Sequence, residues 1–198
     1  MGLWLRFRVV RFPNVTDPDD EVTRWALRAR TGDRDALERF VRATQRDVWR
    51  FIAHLADVTV ADDLAQETYA RALVSLRRFA GRSSARTWLL AIARRVVIDQ
   101  VRMARSRPRL SPGVDWEREA DRRPVESGFE DAIELNMLLD ALAPDRREAL
   151  VLTQVLGLSY AEAADIAGCP IGTIRSRVAR AREDLVRATG HAGATEVG

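Results

Sequence analysis

Between Arg82 and Arg109 the chain carries eight arginines, at 82, 86, 94, 95, 102, 105, 107 and 109, against one acid, Asp99. Eight less one leaves seven net positive charges in 28 residues, which implies a polyanionic partner. Trp88, Arg95, Asp99 and Arg102 stand at offsets of 7, 11 and 14, the repeat of one helical face. An exposed indole beside guanidinium groups is a platform on which unpaired bases stack while arginine tracks phosphate. The competing possibility is a core tryptophan flanked by solvated arginines, because tryptophan is mostly buried in folded proteins.

A second cationic group lies near the C-terminus. Ile174, Val178, Ala181 and Leu185 fall on one stripe at spacings of four, three and four. Arg175, Ser176, Ala179, Arg180 and Glu183 occupy the opposite face. Ahead of them, Ser159 and Glu162 form a capping box that starts a helix. Gly168 ends that helix and Pro170 prevents its continuation, so a second helix starts near Thr173. Ala164 is small enough for close helix approach, and Gly168 permits the tight turn. An apolar inside and a cationic outside make a helix-turn-helix whose second helix can enter a major groove. A plain amphipathic helix with solvated arginines would not need box, small residue, turn glycine and arginine face all in register.

Other chemistries find no residues. There is no phosphate-binding glycine loop and no nucleophile–base pair, so an enzyme is not expected. The single Cys169 excludes an internal disulfide and a cysteine zinc cluster. His54 and His191 are remote from any cysteine or carboxylate motif, so neither metal nor cofactor is expected, and His54 reads as an exposed or packed helix residue. No apolar run reaches ~18 residues, and the arginine-interrupted Gly2–Val10 run is unlike a signal peptide; a soluble cytoplasmic protein is expected. Apolar residues at 46% of 198 allow a real core. All 32 basic residues are arginine, which suits bidentate phosphate and base contacts, although net charge is only +3.

The elements that must position these groups read as helices throughout. Residues 1–19 carry no helical period before a Pro/Asp turn cluster and read either as a flexible arm or as the product of an upstream start. Helices are expected over Glu21–Arg30, Arg34 to about Ala56, Ala61–Phe79 and Ala85 to about Arg105, the last with Ser84 as N-cap. In the third, Ala65, Tyr69, Ala72, Leu76 and Phe79 should face the core; Asp63, Gln66, Glu67, Ala70 and Val74 lie on another face. Asp62 and Asp63 also suit the positive end of the helix dipole, which leaves Gln66, Glu67 and Val74 as a docking patch. In the fourth, Leu89, Leu90, Ala93, Val96, Val97, Val101 and Ala104 make the buried face.

Residues 106–128 read as a Pro/Gly linker, with seven acids against three arginines from Asp115 to Asp131. Opposite in sign to its flanks, it should avoid DNA and could occupy a basic channel in a partner. A second module, 129–188, holds a helix with Ile133, Met137, Leu138 and Leu142, then Arg146 to about Leu156, then the helix-turn-helix; 189–198 is a polar tail. The fold class is all-α, two small helical modules on a flexible tether.

Three segments, Asp63–Tyr69, Ala85–Arg94 and Gly172–Glu183, together resemble the extracytoplasmic function (group 4) class of bacterial sigma-70 RNA polymerase sigma factors, over roughly residues 20–188. The resemblance implies that residues 20–105 are sigma domain 2, a four-helix module, and 129–188 sigma domain 4. Asp63, Gln66 and Glu67 would contact the clamp helices of core polymerase, whose flap would meet domain 4. Ser83, Ser84, Trp88, Arg95, Asp99 and Arg102 would hold the melted non-template strand of the minus-10 element, where flipping out a base costs a few kcal/mol. Thr173, Arg175, Ser176, Ala179 and Arg180 would meet duplex minus-35 DNA. The linker would thread the RNA exit path, and family habit implies sequestration by an anti-sigma factor, often membrane-anchored. Two positions depart from the family pattern. Arg95 stands where many members carry Asn, and Ala179 where some carry an aromatic, so base preference is open.

The function implied is a non-catalytic specificity subunit that reads two promoter elements and promotes melting. The alternative is an ordinary helix-turn-helix regulator, dimeric on palindromic duplex DNA with half-sites about one helical turn apart.

Overall fold

The computed structural model describes residues 18–106 and 135–192, with side chains from 19 to 104 and from 135 to 188. The 1–17 part of the expected arm, linker residues 107–128, the 129–134 start of the second module and residues 193–198 of the tail lie outside the described residues. All regular structure among the described residues is helical. In order come α1 (Pro18–Ala29), α2 (Arg34–Leu55), a 3-10 turn (Val58–Val60), α3 (Ala61–Leu76) and α4 (Ala85–Ser106). A helical turn at 135–139 follows, then α5 (Pro144–Leu150), a π-helical Val151–Val155, α6 (Tyr160–Ala167) and α7 (Ile171–Ala192).

Local chemistry sets the boundaries. The Asp33 carboxylate accepts from the Ala36 amide at 2.9 Å and opens α2. That bond, with the Arg28 guanidinium, holds the Asp33 carboxyl below its ordinary range. The Ser84 hydroxyl accepts from the Thr87 amide at 3.1 Å, the N-cap expected for α4. Helix α1 begins three residues before the expected Glu21, at Pro18, a residue suited to a first helical position.

Helix α2 is the spine of the first module: Phe40, Val48, Phe51 and Ile52 are buried, as are Leu89, Leu90, Ala93, Val96 and Val97 of α4. Three expectations need correction. In α3 the buried stripe is Leu64, Thr68, Ala72 and Leu76, leaving Ala65 and Tyr69 half-buried at its edge. The bulk of Leu64 wins the inside position, and Thr68 tolerates burial because its hydroxyl donates to the Leu64 carbonyl at 2.7 Å. Tyr69 reaches Thr44, O–O 2.8 Å, and burial pushes its phenol up to about 12. Helix α3 also stops at Leu76, where the Arg78 and Phe79 amides turn back to Ser75 and Leu76, both at 2.9 Å; Phe79 is buried although outside the helix. In α4, Ala104 is exposed beside Arg102 and Met103, so its apolar character does not bury it.

The second module closes on Leu139, Leu142, Leu150, Leu152, Ile166, Ile174 and Val178, all buried. It does not stand apart: α6 packs against α4, and α5 lies beside α2. The first and second modules therefore share a seam.

Candidate nucleic-acid interface

Helices α6 and α7 form a helix-turn-helix. The Ser159 hydroxyl accepts from the Glu162 amide at 3.2 Å, and the Glu162 carboxylate accepts from the Ser159 amide at 2.9 Å. Gly168 has φ +65°, the left-handed conformation that closes a helix without a Cβ penalty. Helix α7 starts at Ile171, two residues before the expected Thr173, because Pro170 leads straight into it and its carbonyl accepts from the Thr173 amide at 2.8 Å. Ile174, Val178 and Ala181 are buried, while Arg175, Ser176, Ala179 and Arg180 are exposed and Thr173 is half-buried. Five predicted contacts thus lie together along the first turns of one helix, with both guanidinium groups directed outward.

Two ion pairs with α5 anchor α7 from the side. Arg146 binds Asp184, and Arg177 meets Asp145 at 3.1 Å. The bond from Arg146 holds the Asp184 carboxyl below its ordinary range. These pairs fix the helix without using Arg175 or Arg180.

Helix α4 carries the second predicted face. Arg95 and Arg102 are exposed, and Ser83, Ser84, Trp88 and Asp99 are half-buried. Trp88 is less open than a free stacking platform: its ring lies 4.9 Å from that of Phe79, tilted by 39°. The Phe79 contact occupies part of the indole, so only the remaining part can meet a base. Asp99 is engaged as well, accepting from Arg71 of α3 at 2.7 Å.

Not all the arginines of this segment face solvent. Arg86 donates to Asp47 at 2.7 Å and to the Leu156 carbonyl of the second module at 2.7 Å. Arg94 grips Glu148 of α5 through two nitrogens. The Thr87 hydroxyl lies 3.5 Å from Glu162, the capping residue of α6. Sequence reasoning placed Arg86 and Arg94 among the phosphate-tracking charges; the structure uses both as anchors across the seam.

A third set of bonds crosses nearby. The Asn136 amide nitrogen donates to the Ala53 carbonyl at 2.8 Å, so its oxygen faces His54 Nδ1, also at 2.8 Å. Arg147 donates to that same oxygen at 3.1 Å and to the His54 carbonyl. The imidazole must therefore carry its proton on Nδ1. Burial pushes the His54 imidazole below its ordinary value; the Asn136 bond opposes this, while Arg50 and Arg147 add repulsion. His54 is a packed residue in a polar network, and nothing in its sequence neighbourhood announced the partner.

On α3, Asp63, Gln66 and Glu67 are exposed, and Val74 and Leu73 are 83% and 46% exposed. Two large apolar side chains beside carboxylates make an open patch on the side of α3 away from the core. Among the described residues no cluster of His, Cys, Asp and Glu could hold a metal, and no helix is long and apolar enough to cross a membrane.

Residues 40–107 match sigma-70 region 2, and residues 132–185 match sigma-70, region 4. The ECF RNA polymerase sigma factor SigC of Mycobacterium tuberculosis is 58% identical over 173 residues, covering 87% of this chain and 94% of that protein. The RNA polymerase sigma-H factor of Pseudomonas aeruginosa is 33% identical over 174 residues, covering 81% and 90%. Among solved structures, the sigma factor RpoE of Bartonella quintana, in complex with the anti-sigma factor NepR, has a TM-score of 0.60 at 29% identity, over 75% of this chain and 93% of that one. CnrH in complex with the cytosolic domain of CnrY shares the fold, with a TM-score of 0.67 at 23% identity over 87% and 99%. With both sigma regions in order along one helical chain and a relative of this identity over nearly its whole length, the protein belongs to the extracytoplasmic function sigma factors of the sigma-70 family, non-catalytic subunits through which RNA polymerase initiates transcription.

Proposed function

We propose that this chain reads two promoter elements, with α7 in duplex minus-35 DNA and α4 on the parted non-template strand of the minus-10 element. The observation that carries the reading is the contrast between two arginine-bearing helices. In α7, Arg175 and Arg180 project from the open end of a capped helix-turn-helix, as a groove-reading helix requires. In α4, Arg95 and Arg102 follow the indole of Trp88 along one helical face, as a single-strand surface requires. The exposed Asp63, Gln66, Glu67 and Val74 on α3 are the proposed seat of core polymerase.

The domain limits that serve this function are 20–105 for domain 2 and 129–188 for domain 4. The seam adds a condition. While Arg86 and Arg94 hold the second module, part of α4 is covered, so the modules separate before both elements are engaged. A protein of the anti-sigma class is a fitting further partner, because the Bartonella quintana relative was solved with one.

Run-off transcription with purified core polymerase, on promoters enriched from genomic DNA by the holoenzyme, tests the reading. Initiation at paired, asymmetric elements is expected. A dimer footprinting an inverted repeat without polymerase would instead support the ordinary regulator.

A further inference from the structure

We infer that Arg71 is a positioning residue that links polymerase docking on α3 to strand holding on α4, its guanidinium lying between Glu67 and Asp99. Nε donates to Glu67 Oε1 at 2.7 Å, and Nη1 donates to Asp99 Oδ2 at 2.7 Å. A pair confined to positions i and i+4 would tie Arg71 to its own helix and leave α4 untouched. Asp99 is 28 residues away on that other helix, so the guanidinium joins two surfaces with different proposed partners.

Charge gives the link a direction. Asp99 is the one acid among the eight arginines between 82 and 109, and it stands between Arg95 and Arg102 on the face that would track phosphate. The resemblance sets Asp99 among the strand-holding residues, but a bare carboxylate repels a nucleic-acid strand, and Arg71 cancels that charge. One guanidinium shared between two carboxylates leaves the triad with a net negative charge. When a cationic group of the polymerase seats on Glu67, that charge is neutralised and the Arg71–Asp99 pair is left balanced. The strand-holding face lies within a Debye length, about 8–10 Å, so it becomes a better site for phosphate. By linkage, a bound strand strengthens docking by the same factor. All three side chains are 43–49% exposed, so the effect is modest and the fold does not depend on it.

The relay rests on the proposed docking through Glu67, and the experiment separates the two. Arg71→Ala, Asp99→Asn, their double variant, Arg71→Lys and Glu67→Gln are titrated with core polymerase. Open-complex formation is then followed by permanganate reactivity at saturating core, on a promoter enriched with the wild-type holoenzyme. Arg71→Ala is expected to bind core within about twofold of wild type and to open the promoter about two- to fivefold more slowly. The double variant opens faster than Arg71→Ala because no uncompensated carboxylate remains on the α4 face, and Arg71→Lys keeps most of the wild-type rate. Additive slowing in the double variant, or a defect in Arg71→Ala confined to core affinity, overturns the relay. Unchanged core affinity in Glu67→Gln overturns docking through Glu67 and the relay with it. Weakened core affinity there, with an additive Arg71–Asp99 cycle, overturns the relay alone.

Discussion

Arg94 of α4 and Glu148 of α5 meet across the seam between the modules, two guanidinium nitrogens reaching the two oxygens of one carboxylate. The Glu148 side chain is 9% exposed and that of Arg94 26%. A carboxylate so withdrawn from water is costly to leave without a cation facing it. The pair therefore ties the placement of the second module to one side chain of α4.

Arg94→Ala strands Glu148, a change that costs about 3–5 kcal/mol when the deserted charge is fully buried. Opening the seam re-wets the carboxylate, so the loss appears as separation of the modules. Small-angle X-ray scattering should show a larger radius of gyration with helical circular dichroism retained. An unchanged radius would mean that other contacts hold the seam alone.

The seam should also respond to acid through His54. Its value in the closed arrangement is depressed below 6.5, and separation returns it to the ordinary range. A depressed basic group stabilises the closed form at pH above the open-state value, and that contribution is lost as pH falls through about 6.5 toward the closed-state value. Arg50 and Arg147 face the new charge and oppose it, while Asp140 is already paired with Arg147 at 2.6 Å. Fluorescence energy transfer between labels on the two modules should fall on acidification, and His54→Gln should flatten the profile. A wild-type profile already flat through this window rules the mechanism out.

Arg175→Ala and Arg180→Ala should each weaken duplex minus-35 binding by about 1–3 kcal/mol where the side chain reads a base edge. A phosphate contact shows instead as a salt dependence reduced by about one charge. Both residues are exposed, so thermal stability should stay within about 0.5 kcal/mol. Mobility shifts across a salt series separate the cases, and unaltered affinity in both variants refutes the recognition role of α7.

Trp88→Ala removes a ring that both faces solvent and packs on Phe79. The tilted pair contributes about 0.5–1.5 kcal/mol beyond its buried area, so some stability is lost. Promoter opening should fall further than that, while duplex binding by α7 is kept. Trp88→Phe supplies the control, restoring stability more fully than opening. Permanganate footprints equal to wild type in both variants would remove the stacking role.

Ser159→Ala removes the cap of α6 and should cost about 1 kcal/mol, as measured by chemical denaturation. The loss should also loosen Glu162, which faces Thr87 across the seam.

The sequence by itself determined the helices, the helix-turn-helix and the division of its second helix into a buried and a cationic face. Those features rest on neighbours within a few residues: Ser159 with Glu162, Gly168 with Pro170, and Ile174 with Val178. Periodicity placed most of the α4 core but misjudged Ala104 and the α3 stripe, because a small apolar residue at a face edge is buried only if a neighbour reaches it. Tertiary structure alone decided which arginines are available to DNA. Arg94 pairs with a residue 54 positions on and Arg86 with one 70 positions on, while His54 finds Asn136 across 82. Such pairs leave no periodic trace, since any exposed arginine reads alike until the fold brings an acceptor to it. The half-covered indole of Trp88 has the same cause: Phe79 reaches it from a turn whose path no local rule specified.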